Sequence, residues 1–146
     1  MAKVNILLVD DNPEYRKRAA AALSGNKDLE AFDREDTASA IHLLRQTTRQ
    51  ALHLVITDHD PELAEMNGIA VAEEAKKAGI ANIYIHNGQP QNVPETAVPE
   101  GVILCGKMSA NELLQIARHV AEQIDEIAEQ VARAIRDERN SDPKLN

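Results

Sequence analysis

Short apolar runs alternate with helix-like stretches along the whole chain, and this alternation constrains the fold more than any other feature. Five runs have the length and composition of buried β-strands: Val4–Val9, Leu29–Phe32, Leu52–Thr57, Ile83–His86 and Val102–Cys105. Strands that are apolar on both faces and separated by helices predict a parallel sheet covered by helices on both sides. The chain of 146 residues is long enough to bury such a core in one domain.

Helix signals fill the gaps between these runs. Asn12 before Pro13 predicts the start of the first helix, and Gly25 predicts its end. Asp36 is the expected cap of the second helix, and Ser109 and Glu112 match a capping box at the start of the last one. The predicted helices span 13–24, 36–48, 68–77 and 110 to about 139.

Two segments depart from a regular alternation. Residues 88–101 contain three prolines, so the helix expected there should be missing or much reduced. The last helix is longer than a small sheet can cover, and its apolar residues follow the 4-3 spacing of a coiled-coil seam: Leu113, Ala117, Val120, Ile124, Ile127, Val131 and Ala134. We therefore expect one domain over residues 1–125, then a helical extension and frayed tail over 126–146. The seam can form a homodimer interface through residues 120–135, or the helix can be a simple solvated extension.

Polar residues fall where the predicted strands end. They are Asp10, Asp11, Asp58, Asp60, Asn87 and Lys107. The carboxyl ends of parallel strands form the usual ligand-binding edge of such a sheet, so these side chains should converge. Several oxygens at one edge suit Mg²⁺, and an ionised carboxylate beside a cation can attack phosphorus. The same acids can also be solvated loop residues or helix caps.

Composition excludes several other function classes. A net charge of −8 and an aromatic content of 2% argue against direct nucleic-acid binding. Cys105 is the only cysteine, so an intrachain disulfide or a Cys-based zinc site is excluded. The N-terminal apolar run is too short for a signal peptide or a membrane span, and a cytoplasmic protein is expected. His59 and His86 lack a metal-ligand pattern, which favours non-metal roles for both.

Taken in order, four motifs resemble those of the receiver domains of two-component response regulators, the CheY-like superfamily. They are I-L-L-V-D-D at 6–11, L-V-I-T-D at 54–58, M-N-G at 66–68 and G-K at 106–107, and the resemblance covers roughly residues 3–125. It implies a flavodoxin-like (βα)5 fold, a doubly wound parallel sheet of five strands. It also implies a signalling phosphoacceptor rather than an enzyme with a separate substrate.

The resemblance assigns a role to each of these residues. Asp58 would be phosphorylated by a histidine kinase or a histidine phosphotransfer protein, and Lys107 would contact the phosphoryl group. Asp10, Asp11 and Asp58, with the backbone carbonyl of Asp60, would hold Mg²⁺, for which Mn²⁺ can substitute. Asn87 would contact the phosphate. The side chains of Asp60 and Gln89 would modulate loss of the phosphoryl group, and an unknown downstream protein would receive the signal.

Other positions differ from the family pattern. Asn87 stands where the family has a switch Thr or Ser, Leu104 replaces the switch aromatic, and Met108 replaces the proline after the lysine. The loop from Asp58 to Gly68 is two residues longer than usual. These departures favour an intact phosphorylation site with a rebuilt output.

Two alternative functions follow from the same residues. The altered switch positions also suit a pseudo-receiver, which binds partners without being phosphorylated. Asp58-His59-Asp60 after an apolar strand resembles the D-x-D motif of haloacid-dehalogenase-type phosphatases. That motif normally lies on the first strand, ahead of the further acidic pair, whereas here the acidic pair comes first.

Overall fold

The computed structural model describes residues 3–47 and 51–141. Its five strands are β1 (Val4–Val9), β2 (Leu29–Arg34), β3 (Leu54–Asp58), β4 (Asn82–Asn87) and β5 (Ile103–Gly106). Its four α-helices are α1 (Pro13–Ser24), α2 (Thr37–Gln46), α3 (Gly68–Lys77) and α4 (Ala110–Ser141). All strand pairs are parallel, in the order β2-β1-β3-β4-β5. The predicted doubly wound fold is therefore confirmed.

The predicted helix caps are present. The side chain of Asn12 accepts hydrogen bonds from the backbone N–H groups of Glu14 and Tyr15, and Asp36 accepts one from Ser39 N. In the capping box, Glu112 N donates to Ser109 Oγ at 3.2 Å, and Ser109 N donates to Glu112 Oε1 at 3.4 Å. Helix α2 ends at Gln46, because Thr47 has an extended backbone, so the helix is shorter than predicted; the predicted last residue, Thr48, lies outside the described residues.

Each face of the sheet carries its own core. On one face, α1 and α4 pack on alternate residues of the central strands, with Ile6, Leu8, Leu54 and Ile56 completely buried. On the other face, α2 and α3 cover Leu7, Val9, Val55 and Ile85. The strands are thus buried on both sides, as their continuous apolar sequences predict.

The connection between β4 and β5 contains no α-helix. Two 3₁₀ turns of three residues each, Pro90–Asn92 and Glu95–Ala97, take its place. The prolines at 90, 94 and 99 prevent a longer helix because each removes a backbone donor. Ile103 of the edge strand β5 is left about half exposed.

Helix α4 extends well past the sheet. Leu113, Ala117 and Val120 are buried against the core, whereas every residue from 126 to 141 is exposed. None of the helices in the described part of the chain is both long and apolar enough to cross a membrane.

Candidate functional site

The strand order reverses between β1 and β3, and this is the point where ligands bind in open parallel sheets. Asp10 follows β1, Asp58 ends β3, and Lys107 follows β5. The Lys107 ammonium contacts Asp10 Oδ2 and lies 3.8 Å from Asp58 Oδ2. Three predicted site residues therefore meet at the expected edge.

Asp10 is completely buried and has several partners. Its Oδ1 accepts a hydrogen bond from Asn12 N at 2.9 Å, and Lys107 contacts Oδ2. Burial by itself would raise the pKa of Asp10, but the contacts from His86, Lys107 and Asn12 hold the pKa below its ordinary value. Asp10 is therefore a stable anion in the folded protein.

Asp58 has a different environment, although it lies beside Asp10. Burial raises the pKa of Asp58, and the negative charge of Asp10 adds to this effect, while the Lys107 ammonium opposes it. Its side chain is 15% exposed, so it can be reached from solvent. Of the two carboxylates, Asp58 is the more accessible one and the one less stabilised as an anion.

His86 lies beneath both acids. Asp10, Asp58 and His86 each offer a ligand atom, and these atoms lie within 4.8 Å of one another. His86 is completely buried; its Nδ1 accepts a hydrogen bond from Met108 N at 3.4 Å, so the ring hydrogen lies on Nε2. Nε2 is 3.6 Å from Asp10 Oδ2 and is the buried side-chain atom without a hydrogen-bond partner in the described structure. His86 thus directs a donor towards Asp10.

Tyr15 also contacts Lys107. The Lys107 ammonium lies 4.2 Å from the centroid of the Tyr15 ring, close enough for a cation–π interaction. The Tyr15 hydroxyl donates to the carbonyl oxygen of Met108 at 2.6 Å, and the ring meets His86 edge-on. Burial raises the pKa of Tyr15, so the hydroxyl remains a donor. The Lys107–Met108 peptide bond is trans, as expected without proline.

A groove of about 390 Å³ opens beside Asp58. Its walls include five of the predicted site residues: Asp58, Asp60, Asn87, Gln89 and Lys107. Asp11, the residue next to Asp10, is exposed, and it is not one of the three residues whose ligand atoms form the Asp10, Asp58 and His86 group.

The groove wall is stabilised by contacts within the loop that follows β3. Asn87 Nδ2 donates to the carbonyl oxygen of His59, and Gly68 N donates to His59 Nδ1 at 3.0 Å. The side-chain carboxylate of Asp60 accepts a hydrogen bond from Glu62 N at 3.0 Å. The backbone carbonyl oxygen of Asp60 accepts another from Leu63 N at 3.1 Å. The carbonyl predicted to complete a metal shell therefore also closes a turn.

Gly68 brings the start of α3 against the end of β3. A Cβ atom at this position would lie 2.2 Å from the carbonyl oxygen of Asp58. Only glycine allows this approach, because a real contact at that distance would displace the backbone that carries Asp58.

Structural comparison identifies the fold. A receiver domain from Clostridium thermocellum matches with a TM-score of 0.64 at 19% identity, over 85% of this chain and 98% of that chain. A CheY-like receiver domain from Methanospirillum hungatei JF-1 matches with a TM-score of 0.64 at 18% identity, over 86% and 99%. The chain has the response-regulator receiver fold.

A third receiver structure agrees with these two. The signal receiver domain of an HD domain-containing protein from Pseudomonas fluorescens Pf-5 matches with a TM-score of 0.63 at 22% identity, over 83% and 96%. No protein-family model matches the sequence, and the search of curated proteins likewise finds no match. The resemblance to receiver domains thus holds for the fold at low sequence identity.

The structure adds two residues to the site that the sequence does not assign to it. The sequence favours a non-metal role for His86, and the structure places the residue beside Asp10 and Asp58 with Nε2 facing Asp10. Tyr15 carries no signal in the sequence, although it contacts both Lys107 and the Met108 carbonyl. One signal is available for His86, since a polar residue that follows the apolar Ile83–Ile85 in a buried strand needs a partner.

Proposed function

We propose that the chain is a response regulator receiver domain that accepts a phosphoryl group on Asp58. The observation that carries this proposal is the position of Lys107, which lies between Asp10 and Asp58 at the carboxyl edge of the sheet. A cation held there by one acid can pair with the oxygens of a phosphoryl group on the other. Receiver domains among the matched structures support the same function.

The proposed reaction is a displacement at phosphorus. A carboxylate oxygen of Asp58 attacks, a P–O bond forms, and the P–N bond to the donor histidine breaks with its electron pair returning to the imidazole. Asp10 holds Lys107 before the reaction. The ammonium then follows the negative charge onto the phosphoryl oxygens, where its flexible stem allows it to reach.

The convergent carboxylates of Asp10 and Asp58 fit a hard divalent cation. We propose that they hold Mg²⁺, or Mn²⁺ in its place, with Asp11 and the Asp60 carbonyl as further ligands. When bound, the ion would neutralise charge on the incoming phosphoryl group.

Residues of the groove wall are proposed to act on the phosphoryl group afterwards. Asn87 can donate a hydrogen bond to it if the contact with the His59 carbonyl is given up. Asp60 and Gln89 border the groove and are proposed to modulate hydrolysis by controlling how water reaches Asp58.

A histidine kinase or histidine phosphotransfer protein is the proposed donor, and a downstream protein is the proposed receiver of the signal. The cytoplasm is the proposed location, which agrees with a single cysteine that cannot form an intrachain disulfide. The exposed part of α4 is the proposed homodimer interface, since its large apolar residues Ile127, Val131 and Ile135 are about half exposed.

Phosphorylation can be tested directly. The protein is incubated with Mg²⁺ and acetyl phosphate or phosphoramidate, and its intact mass is measured. We expect one added phosphoryl group, lost in Asp58→Asn and retained in the matched variant Asp60→Asn.

Two other outcomes would replace this function. An unchanged mass, under conditions that label an ordinary receiver, would identify a pseudo-receiver. Sustained turnover of a phosphate monoester that disappears in Asp60→Asn would identify a D-x-D phosphatase.

A further inference from the structure

We propose that the exposed half of α4 pairs in antiparallel orientation with the same segment of a second copy of this chain. This exposed half comprises residues 126–141. The proposal rests on the homodimer interface put forward above and adds its orientation and register. It does not depend on whether Asp58 is phosphorylated.

The exposed half carries a continuous apolar face. Ile127, Val131 and Ile135 are 59%, 52% and 48% exposed. Residues four apart lie on the same side of a helix, so the three side chains form one strip. Three large aliphatic residues in one exposed strip indicate a surface that another molecule covers.

A groove continues this strip onto the body of the domain. It measures about 550 Å³ and lies between α4 and the segments that lead into β3 and β4, at the opposite end of the sheet from Asp58. Its residues on α4 include Val120, Ile124 and Ile127, and its opposite wall includes Leu52 and Ile80. A helix lying along the strip would therefore also enter the groove.

The groove favours an antiparallel partner. In an antiparallel pair, the groove beside residues 120–130 receives the free end of the partner helix, where every residue from 131 to 141 is exposed. In a parallel pair, the groove would face residues 120–130 of the partner helix, and these residues lie beside the partner's own domain, which would occupy the same space. The bare end of the helix is the part that fits beside a domain.

Charge favours the same orientation. Residues 122–129 contain four acids and no basic residue, whereas residues 133–139 contain three arginines and two acids. Antiparallel pairing places the acidic segment of each helix beside the arginine-containing segment of the other. Parallel pairing would place the two acidic segments together, where like charges repel.

The register follows from the apolar positions. If Ile127 lies opposite Val131 of the second copy, Ile124 lies opposite Ala134, and the two-fold axis passes near Ala128 and Glu129. Glu129 is at that level of the helix but two residues from both Ile127 and Val131, so it lies on the opposite face, where it pairs with Arg133 of its own helix at 2.7 Å. Such an interface is isologous and closes as a dimer.

Single cysteines can distinguish the two orientations. In a Cys105→Ser background, Ala128→Cys and Ala134→Cys are matched changes at exposed alanines of the same helix. In the antiparallel register, the two copies of residue 128 are about 3 Å apart along the axis and those of residue 134 about 15 Å. A disulfide needs Cα atoms within about 7 Å, which the axial offset of about 15 Å alone excludes for Ala134→Cys. The small axial offset of residue 128 leaves only the distance across the helix pair to be spanned, so Ala128→Cys should be the variant that forms a linked dimer on mild oxidation.

The result that overturns the proposal is equally specific. Efficient linkage of Ala134→Cys with little linkage of Ala128→Cys would identify a parallel pair, in which position 134 lies in the seam and position 128 beside it. Light scattering that shows a monomer at high micromolar concentration would overturn both the dimer and its orientation, and would leave the strip to a different partner. Mass labelling of Asp58, measured separately, tests the phosphoacceptor function.

Discussion

The ends of β1 and β3 are neighbours in the sheet, yet they hold their acids in opposite ways. At the end of β1, Asp10 is fully buried and stabilised as an anion by Lys107 and a backbone N–H. At the end of β3, Asp58 faces a groove, and burial raises its pKa. The contrast teaches that neighbouring strand ends can hold one acid as a buried partner of Lys107 and leave the other accessible from a groove.

The largest expected effect comes from breaking the backbone geometry at the end of β3. Gly68→Ala should lower the free energy of unfolding by about 3 kcal/mol, because the new Cβ would lie 2.2 Å from the Asp58 carbonyl oxygen. Urea unfolding monitored by circular dichroism measures this.

Gly88→Ala is the matched control, since a Cβ there meets nothing within 4 Å. It should change the stability by about 0.5 kcal/mol or less. Equal effects of the two substitutions would show that the close approach of α3 to β3 is unimportant.

The second prediction removes the anion at the end of β1. Asp10→Asn should destabilise the protein by about 2 kcal/mol at neutral pH without Mg²⁺, because the Lys107 ammonium loses its buried carboxylate partner. The loss of stability is limited because this ammonium is partly exposed to water. The folded pKa of Asp10 lies below 3.8, so this stabilisation is present above 3.8 and is lost as the pH falls through the folded pKa.

Asp11→Asn, a change at an exposed neighbour, should have little effect on stability. If Asp10→Asn were as stable as the wild type at pH 7, the proposed role of Asp10 in holding Lys107 would be wrong.

The smallest expected effect is an increase in stability, whereas the first two substitutions lower it. Asp58 has a folded pKa above its ordinary value of 3.8, so ionisation destabilises the fold as the pH rises through the folded pKa. Asp58→Asn should therefore stabilise the protein at pH 7 without Mg²⁺, by less than Gly68→Ala or Asp10→Asn destabilises it.

This gain should vanish below pH 3.8, where Asp58 of the wild type is protonated in both states. Urea unfolding across this pH range checks it. Loss of stability in Asp58→Asn at pH 7 would remove the distinction between the two strand ends.

Much of the fold could be predicted because its signals are local. The bounds of β1 and α1, the Asp36 cap and the Ser109 capping box depend on neighbouring residues, and the structure agrees with each. β2 is two residues longer than predicted and β3 begins two residues later, because pairing with neighbouring strands decides where a strand ends.

The site was only partly predictable. The meeting of Asp10, Asp58 and Lys107 follows from their places at the ends of parallel strands. The contacts of Tyr15 and His86 depend on which way side chains point across the gap between α1, β4 and the Met108 loop. Tyr15 is separated from His86 and Met108 by 71 residues or more along the chain, so local sequence patterns cannot predict these contacts.

The missing helix between β4 and β5 also affects how the sheet meets other chains. β5 is an edge strand, and its outer N–H and C=O groups could pair with a strand of another molecule. It has only four residues, which limits the number of such hydrogen bonds. A short edge thus protects against aggregation where a covering helix would otherwise do so.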